Sequence, residues 1–246
     1  MKHIASCSFG KDSIATILLA IENNEPLDGA VFSEVMFDLK RNISGENPEH
    51  IEWIYQVAIP KLEALGCPVE VVRAERDYVS YFSKIINKGI RKGKAVGFPI
   101  GGMCAIQRDC KLAPIHSYYK RYDEKIMQYV GIAIDEPRRL ARLKEHQISL
   151  LAKYGYTEEK AMAKCIEYDL VSPTYESSHR GGCWFCPNCK TKVFAEFRKK
   201  HPDLWSELHK LSLTPNLCSY GFKYGMTLQE VEARMDAIDM QLSLFE

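Results

Sequence analysis

Two short stretches of this chain carry residue types and spacings that could do chemistry. The first is Ser8-Phe9-Gly10-Lys11-Asp12-Ser13. Such a loop between a strand and a helix makes an anion site, because the first amides of a helix lack partners and carry partial positive charge. Gly10 lets a backbone come close, Lys11 adds a formal charge, and Ser8 and Ser13 offer hydroxyls. Asp12 fits phosphates less directly. It would hold the loop through backbone N–H groups or coordinate a magnesium ion. The plainer alternative for these residues is a strand–helix turn with Asp12 or Ser13 as cap. The second stretch is Cys183-x-x-Cys186-x-x-Cys189, three thiols whose spacing lets one loop converge on a metal once a fourth ligand is supplied. It is compatible with a [4Fe–4S] cluster and with zinc-knuckle spelling.

Other chemistries lack their residues. Gly10 is the first glycine of the chain, so the two glycines of a Walker loop are missing, and there is no G-x-G-x-x-G, H-E-x-x-H or G-x-S-x-G. Nine cysteines, an odd number unevenly spread, suit metal or redox chemistry better than a disulfide framework. Cys7, Cys67 and Cys165 read as small buried hydrophobes, and Cys218 stays undecided.

The elements that must position these residues alternate in the first half. His3–Ser8 reads as a strand, 13–23 as a helix, 29–37 as a strand, 49–65 as a helix, 69–74 as a strand and 77–87 as a helix. A helix over 111–122, disturbed by Pro114, leads to a strand over 128–134. Strands apolar enough to be covered on both faces predict a parallel α/β sheet. From Arg138 the pattern turns helical: 138–154, 157–168, 193–200, 202–211 and 227–242, with 172–192 irregular and cysteine-rich. The expected organisation is an α/β domain over 1–137 and a helical, cysteine-rich extension over 138–246, packed together as one unit.

Composition sets the outer bounds. With 246 residues, 46% apolar and 26% charged, the chain is long enough to bury a sizeable core without disulfides. A net charge of +1 gives no global attraction to nucleic acid or membrane. No apolar run reaches the ~20 residues that span a bilayer, and no signal-peptide pattern opens the chain. A cytoplasmic protein without a membrane partner is expected. Two local basic runs stand out: Lys84, Lys88, Arg91, Lys92 and Lys94, preceded by Tyr78, Tyr81 and Phe82, and Lys190, Lys192, Arg198, Lys199 and Lys200. Both read first as solvated surface, and either could track a phosphate backbone.

The loop Ser8–Ser13 resembles the S-G-G-K-D-S loop of the PP-loop superfamily of adenine-nucleotide α-hydrolases, with Phe9 in place of one glycine. Cys110-Lys111-Leu112-Ala113-Pro114, Gly131–Glu136 with Arg139, and Arg180-Gly181-Gly182-Cys183-Trp184-Phe185-Cys186-Pro187 resemble its phosphoadenosine phosphosulfate (PAPS) reductase-like branch. The similarity runs over roughly 3–190. It implies a doubly wound, mostly parallel sheet of the PP-loop/HUP-like kind, with an adenine nucleotide lying across the strand ends. It assigns Ser8, Phe9, Gly10, Lys11, Asp12, Ser13, Asp38 and Gly131 to nucleotide binding. Lys11, Asp12, Arg139 and Arg180 would act on the phosphates or a sulfate. Cys110, Cys183, Cys186 and Cys189 would hold the metal, with Cys104 as the alternative fourth ligand and His179 a weaker one. Some members carry [4Fe–4S] on a similar arrangement, which favours iron–sulfur over zinc.

The sulfonucleotide reductases share a C-terminal Glu-Cys-Gly-[Leu/Ile]-His segment that this chain lacks; its last twenty residues contain no cysteine. The expected reaction is therefore attack on the α-phosphate of ATP, with magnesium, to adenylate a nucleic-acid or small-molecule acceptor for sulfur transfer. The alternatives are reduction of PAPS or adenosine phosphosulfate (APS), and a metal-stapled binding module without turnover. A homodimer is compatible with all three.

Overall fold

The computed structural model describes residues 1–99, 104–177 and 181–243. The chain forms two compact units, each assembled from separate segments: 1–34, 46–74 and 111–181 in the first, 35–45, 75–110 and 182–246 in the second. Residues 137 and 138, the expected boundary, lie together in the first.

The first unit is an α/β fold around five parallel strands: β1 (Lys2–Cys7), β2 (Gly29–Ser33), β3 (Val69–Val72), β4 (Ile126–Val130) and β5 (Gln147–Ile148). Their order across the sheet is β3-β2-β1-β4-β5. Its helices include α1 (Lys11–Glu22), α2 (Pro48–Trp53), α3 (Ile59–Ala64), α4 (Ala113–Tyr119), α5 (Pro137–Leu140), α6 (Leu150–Lys153) and α7 (Glu158–Glu167). Alternation along the strands separates two cores. Ala5, Cys7, Ala30, Phe32 and Tyr129 pack with Ile14, Ile17 and Leu18 of α1 and with Leu150, Leu151, Ala161 and Cys165. On the opposite face Ile4, Val31 and Val72 pack with Tyr118 and with the partly buried Ile115 and Tyr119 of α4.

Four expectations need correction, the first being the helix read over 77–87, which is Tyr78–Ser83 only. The strand read over 29–37 ends at Ser33, and Met36–Asp38 is a separate strand paired antiparallel with Ile43–Ser44 in the second unit. The break falls at Glu34, whose buried carboxylate accepts bonds from Tyr55 and Arg73. The helix read over 49–65 widens into a π turn at Ile54–Ala58, next to Pro60, which has no N–H to give to that turn. The helix read over 138–154 is three elements, α5, β5 and α6; the apolar spacing of a half-buried edge strand followed by a short helix imitates one long helix.

In the second unit the helices Thr191–Lys200, Pro202–Ser212 and Leu228–Ser243 accompany a parallel pair, Ala95–Gly97 with Leu217–Ser219. Its core is aromatic. Phe37, Tyr78, Trp184 and Phe185 form one group, with Tyr78 and Phe185 centred 4.1 Å apart, and Phe98, Phe194 and Phe222 form another. Among the described residues, no helix is long and apolar enough to cross a membrane.

Candidate functional site

In the first unit the strand order reverses between β1 and β4, and open parallel sheets take ligands outside the strand ends at such a point. A cleft of about 530 Å³ lies there, lined by Ser6, Ser8, Gly10, Asp12, Ser13, Gly131, Arg139, Arg142 and Gln147 among others. Ser8, Gly10, Asp12, Ser13, Gly131 and Arg139 were all expected from sequence.

The loop is laced from within. Ser13, nearly buried, accepts from the Ser8 amide (3.2 Å) and donates its only hydroxyl proton to the Gly10 carbonyl (2.9 Å). It therefore shapes the loop and has no proton left for a phosphate. Phe9 stands at φ +55° with its ring wholly buried against Phe32 and Trp53. A left-handed residue that is not glycine costs on the order of 1 kcal/mol, and here the anchored ring holds the turn. Phe9 can reach a ligand through its backbone only. Gly131 is glycine for steric reasons: a Cβ there would lie 2.7 Å from the Asp12 carbonyl carbon and the Ser13 nitrogen. The end of β4 is thus pressed against the first turn of α1.

Charge at the loop is partly matched. The Lys11 ammonium bonds Asp12 at 2.7 Å and Glu158 of α7 at 3.1 Å. Burial pulls the Lys11 pKa down, and the two carboxylates outweigh it, so the net shift is upward and the ammonium stays charged. Burial raises the Asp12 carboxyl above its ordinary value, against the pull of Lys11. Asp12 is the carboxylate that could hold a hard cation in the cleft, since such ions take oxygen ligands. Arg139 is bound to Glu136 through both carboxylate oxygens, whereas Arg142 has no ion-pair partner among the described residues.

Two further residues brace the loop. The Tyr175 hydroxyl accepts from the Lys11 amide at 2.9 Å. His50, 2% exposed, has Nδ1 2.7 Å from the Ser172 hydroxyl, which lies 2.8 Å from the Thr174 hydroxyl. A bond to the Ser8 backbone favours protonated His50, and a backbone group that does so is the carbonyl. Burial dominates, however, and with Lys111 nearby the His50 pKa falls to about 4. His50 is therefore neutral. Arg142, Gln147, Tyr175 and His50 escaped the sequence reading. Arg142 had a signal in Arg-Arg-Leu-Ala-Arg, obscured by the long helix assigned there.

Asp38 lies in the second unit. Its carboxylate accepts from the amides of Lys40 and Arg41 and from the Arg41 guanidinium at 2.7 Å. Burial raises its pKa, and these bonds more than offset that, leaving it below the ordinary value. Arg180 and His179 lie outside the described residues.

All five candidate metal ligands belong to the second unit. Successive turns, Cys186 N to Cys183 O at 3.0 Å and Cys189 N to Cys186 O at 2.9 Å, form the loop. Trp184 anchors it: its amide donates to Gly45 O and its indole to Ser44 O, both at 3.0 Å, and the ring stacks on Phe197. The Tyr78 phenol is pushed up first by burial and then by the neighbouring charges of Cys183, Cys104 and Cys186. Burial, with Asp109, Asp77 and Cys104 nearby, raises Cys110 to about 11. The donor chemistry suits a soft metal or a cluster. Yet among the described residues no three His, Cys, Asp or Glu side chains are grouped to hold a metal ion. The thiols are gathered in one unit without forming a ligand set as they stand.

No protein-family model matches the chain, and no curated protein matches it either.

Proposed function

We propose that the chain is a PP-loop enzyme of the PAPS reductase-like kind that binds ATP in the cleft between β1 and β4. It would cleave the nucleotide at the α-phosphate, adenylating an acceptor oxygen and releasing pyrophosphate. One observation carries this reading: a cleft at the reversal of strand order lined both by residues of the Ser8–Ser13 turn and by Arg139 with Arg142. That constellation suits an elongated polyanion better than a neutral ligand.

The residues divide the work by position. The Asp12 amide and the Ser8 hydroxyl meet phosphate oxygens, the amides of Lys11 and Ser13 being bonded to the Tyr175 hydroxyl and the Gly10 carbonyl. Arg139 and Arg142, which line the same cleft, bind phosphate oxygens and stabilise the negative charge that builds as the leaving pyrophosphate departs. Lys11 keeps its charge and can exchange Asp12 or Glu158 for a phosphate. Magnesium, when bound, would neutralise phosphate charge, and Asp12 is the residue that would hold it. A cluster or zinc on Cys183, Cys186, Cys189 and Cys110 or Cys104 belongs to the same proposal, with no step drawn through it.

The test is ATP with a panel of acceptors, following phosphorus products. Pyrophosphate with AMP or an adenylated acceptor is expected. ADP with inorganic phosphate, or sulfite released from PAPS or APS without ATP turnover, would overturn the adenylation reading. Anaerobic purification with metal and sulfide analysis decides the cysteines separately: broad absorption near roughly 400 nm marks iron–sulfur, and a colourless zinc protein marks the alternative.

A further inference from the structure

From Tyr78 to Arg108 the chain contains no Asp or Glu, although the whole sequence has 32. Lys84, Lys88, Arg91, Lys92 and Lys94 fall inside that stretch, all exposed. They sit on a hairpin. Ile86 N bonds Lys94 O and Gly93 N bonds Ile86 O, each at 2.9 Å; Val96 N bonds Lys84 O at 3.0 Å, and Ile85 bridges Ala95 antiparallel. The Asn216 amide ties the Gly93 carbonyl at 3.1 Å, which fixes the hairpin to the Ala95–Gly97 and Leu217–Ser219 pair. At the tip Ile90 is fully exposed, between Gly89 and Arg91.

The second basic run makes the contrast. Arg198 and Lys199 are matched by Asp236 and Asp239 of the last helix. None of the five hairpin cations has an ion-pair partner among the described residues. A hydrogen-bonded element that carries five cations without ion-pair partners among the described residues, and an apolar tip, is shaped for a polyanion.

We propose that the hairpin over 84–95 is a docking element for duplex DNA, a binding surface separate from the nucleotide cleft. A two-stranded ribbon fits a DNA groove, its cations reach the flanking phosphates, and an apolar tip residue can press against base steps. Single-stranded nucleic acid is recognised by stacking on exposed aromatics; here Tyr78, Phe82 and Phe98, which flank the hairpin in sequence, are buried, and Tyr81 is half-buried. An anionic membrane is the weaker match, because one isoleucine at the tip is little apolar area for insertion.

The test is fluorescence anisotropy of a labelled 20-base-pair duplex with the full chain, from 50 to 200 mM salt. Five phosphate contacts give a slope of log K on log salt of about −4.5, a loss of roughly 500-fold over that range. The triple variant Lys88→Gln, Arg91→Gln, Lys92→Gln is expected to bind more weakly at 50 mM and to lose only about 12-fold over the same range, its slope falling to about −1.8. Its melting curve should match the parent, since these side chains hold nothing in the fold. Lys120→Gln with Lys125→Gln, exposed on the first unit, is expected to leave the parent slope unchanged. The proposal is overturned by no duplex binding at 50 mM salt or by a triple variant that keeps the parent slope. It is also overturned by tighter binding to a single strand, or by binding to phosphatidylcholine–phosphatidylserine vesicles in place of the duplex. None of these readouts uses ATP, so the hairpin and the cleft can fail independently.

Discussion

Gly131→Ala tests the apposition on which the cleft depends. The added methyl would lie 2.7 Å from the Asp12 carbonyl carbon and the Ser13 nitrogen and 2.9 Å from the Asp12 oxygen. Ordinary carbon contacts are about 3.5–4.0 Å, so β4 and α1 must part by roughly 0.8 Å. The atoms struck are backbone, and they are held: Ser13 N bonds Gly10 O at 3.1 Å and Thr16 donates to Asp12 O at 2.7 Å. Overpacking of this kind costs about 1–3 kcal/mol, and the rigidity of the first turn puts it in the upper half. The melting temperature should fall by about 4–12 °C. Calorimetric titration with ATP should show at least a tenfold weaker site, because the displaced turn loses one or more charge-assisted bonds of about 1.5–3 kcal/mol each. Gly155→Ala is the control: φ there is +69° with no atom within 4 Å of the new methyl. It should cost about 1 kcal/mol of stability through backbone strain alone and leave ATP affinity unchanged. A Gly131→Ala protein with parental melting and parental affinity would refute the reasoning.

Phe9→Ala should destabilise by about 3–5 kcal/mol through the emptied site beside Phe32 and Trp53; Phe9→Gly should recover up to about 1 kcal/mol of that, seen as a higher urea midpoint. Arg73→Met leaves the Glu34 carboxylate, 2% exposed, without its cation. A loss near 3 kcal/mol is expected, partly restored by adding Glu34→Gln. His50, with its pKa lowered to about 4, binds a proton more readily unfolded than folded between roughly pH 6.5 and 4. Stability from this group is full above that window and falls by about 1.4 kcal/mol per pH unit as pH drops through it, roughly 3 kcal/mol in all. His50→Gln should flatten that part of the pH–stability curve; an unchanged profile would show that His50 is not held neutral in the fold.

Four of the five parallel strands were readable because each holds a short apolar run, and Val69–Val72 needed nothing else. What sequence concealed were places where a local pattern serves two masters. Val35-Met36-Phe37 continues the apolar run of β2, yet the chain has already turned at Glu34, and only the distant Tyr55 and Arg73 reveal why a buried acid sits there. Gln147–Ile148 is too short to signal a strand; its identity comes from pairing with Gln128 and Tyr129 of β4. The tip of the basic hairpin was visible as composition, while the matching of the second basic run by Asp236 and Asp239 needed the helix Leu228–Ser243 to fold back.

The phosphate turn was legible as a motif and not as a mechanism of support. Its amide at Lys11 is taken by Tyr175, its ammonium by Asp12 and Glu158, and its Ser13 hydroxyl by Gly10. A phosphate arriving at Lys11 therefore exchanges partners instead of gaining them, and each exchange is worth the difference between two hydrogen bonds, on the order of 1 kcal/mol. Arg142 differs, because it has no described ion pair to surrender. The affinity of the cleft for an anion should then depend more steeply on Arg142 than on Lys11, the reverse of the ranking the motif alone suggests. Arg142→Gln and Lys11→Gln, compared by ATP titration, decide it: a larger loss at Lys11 would mean that its two carboxylates release it at little cost.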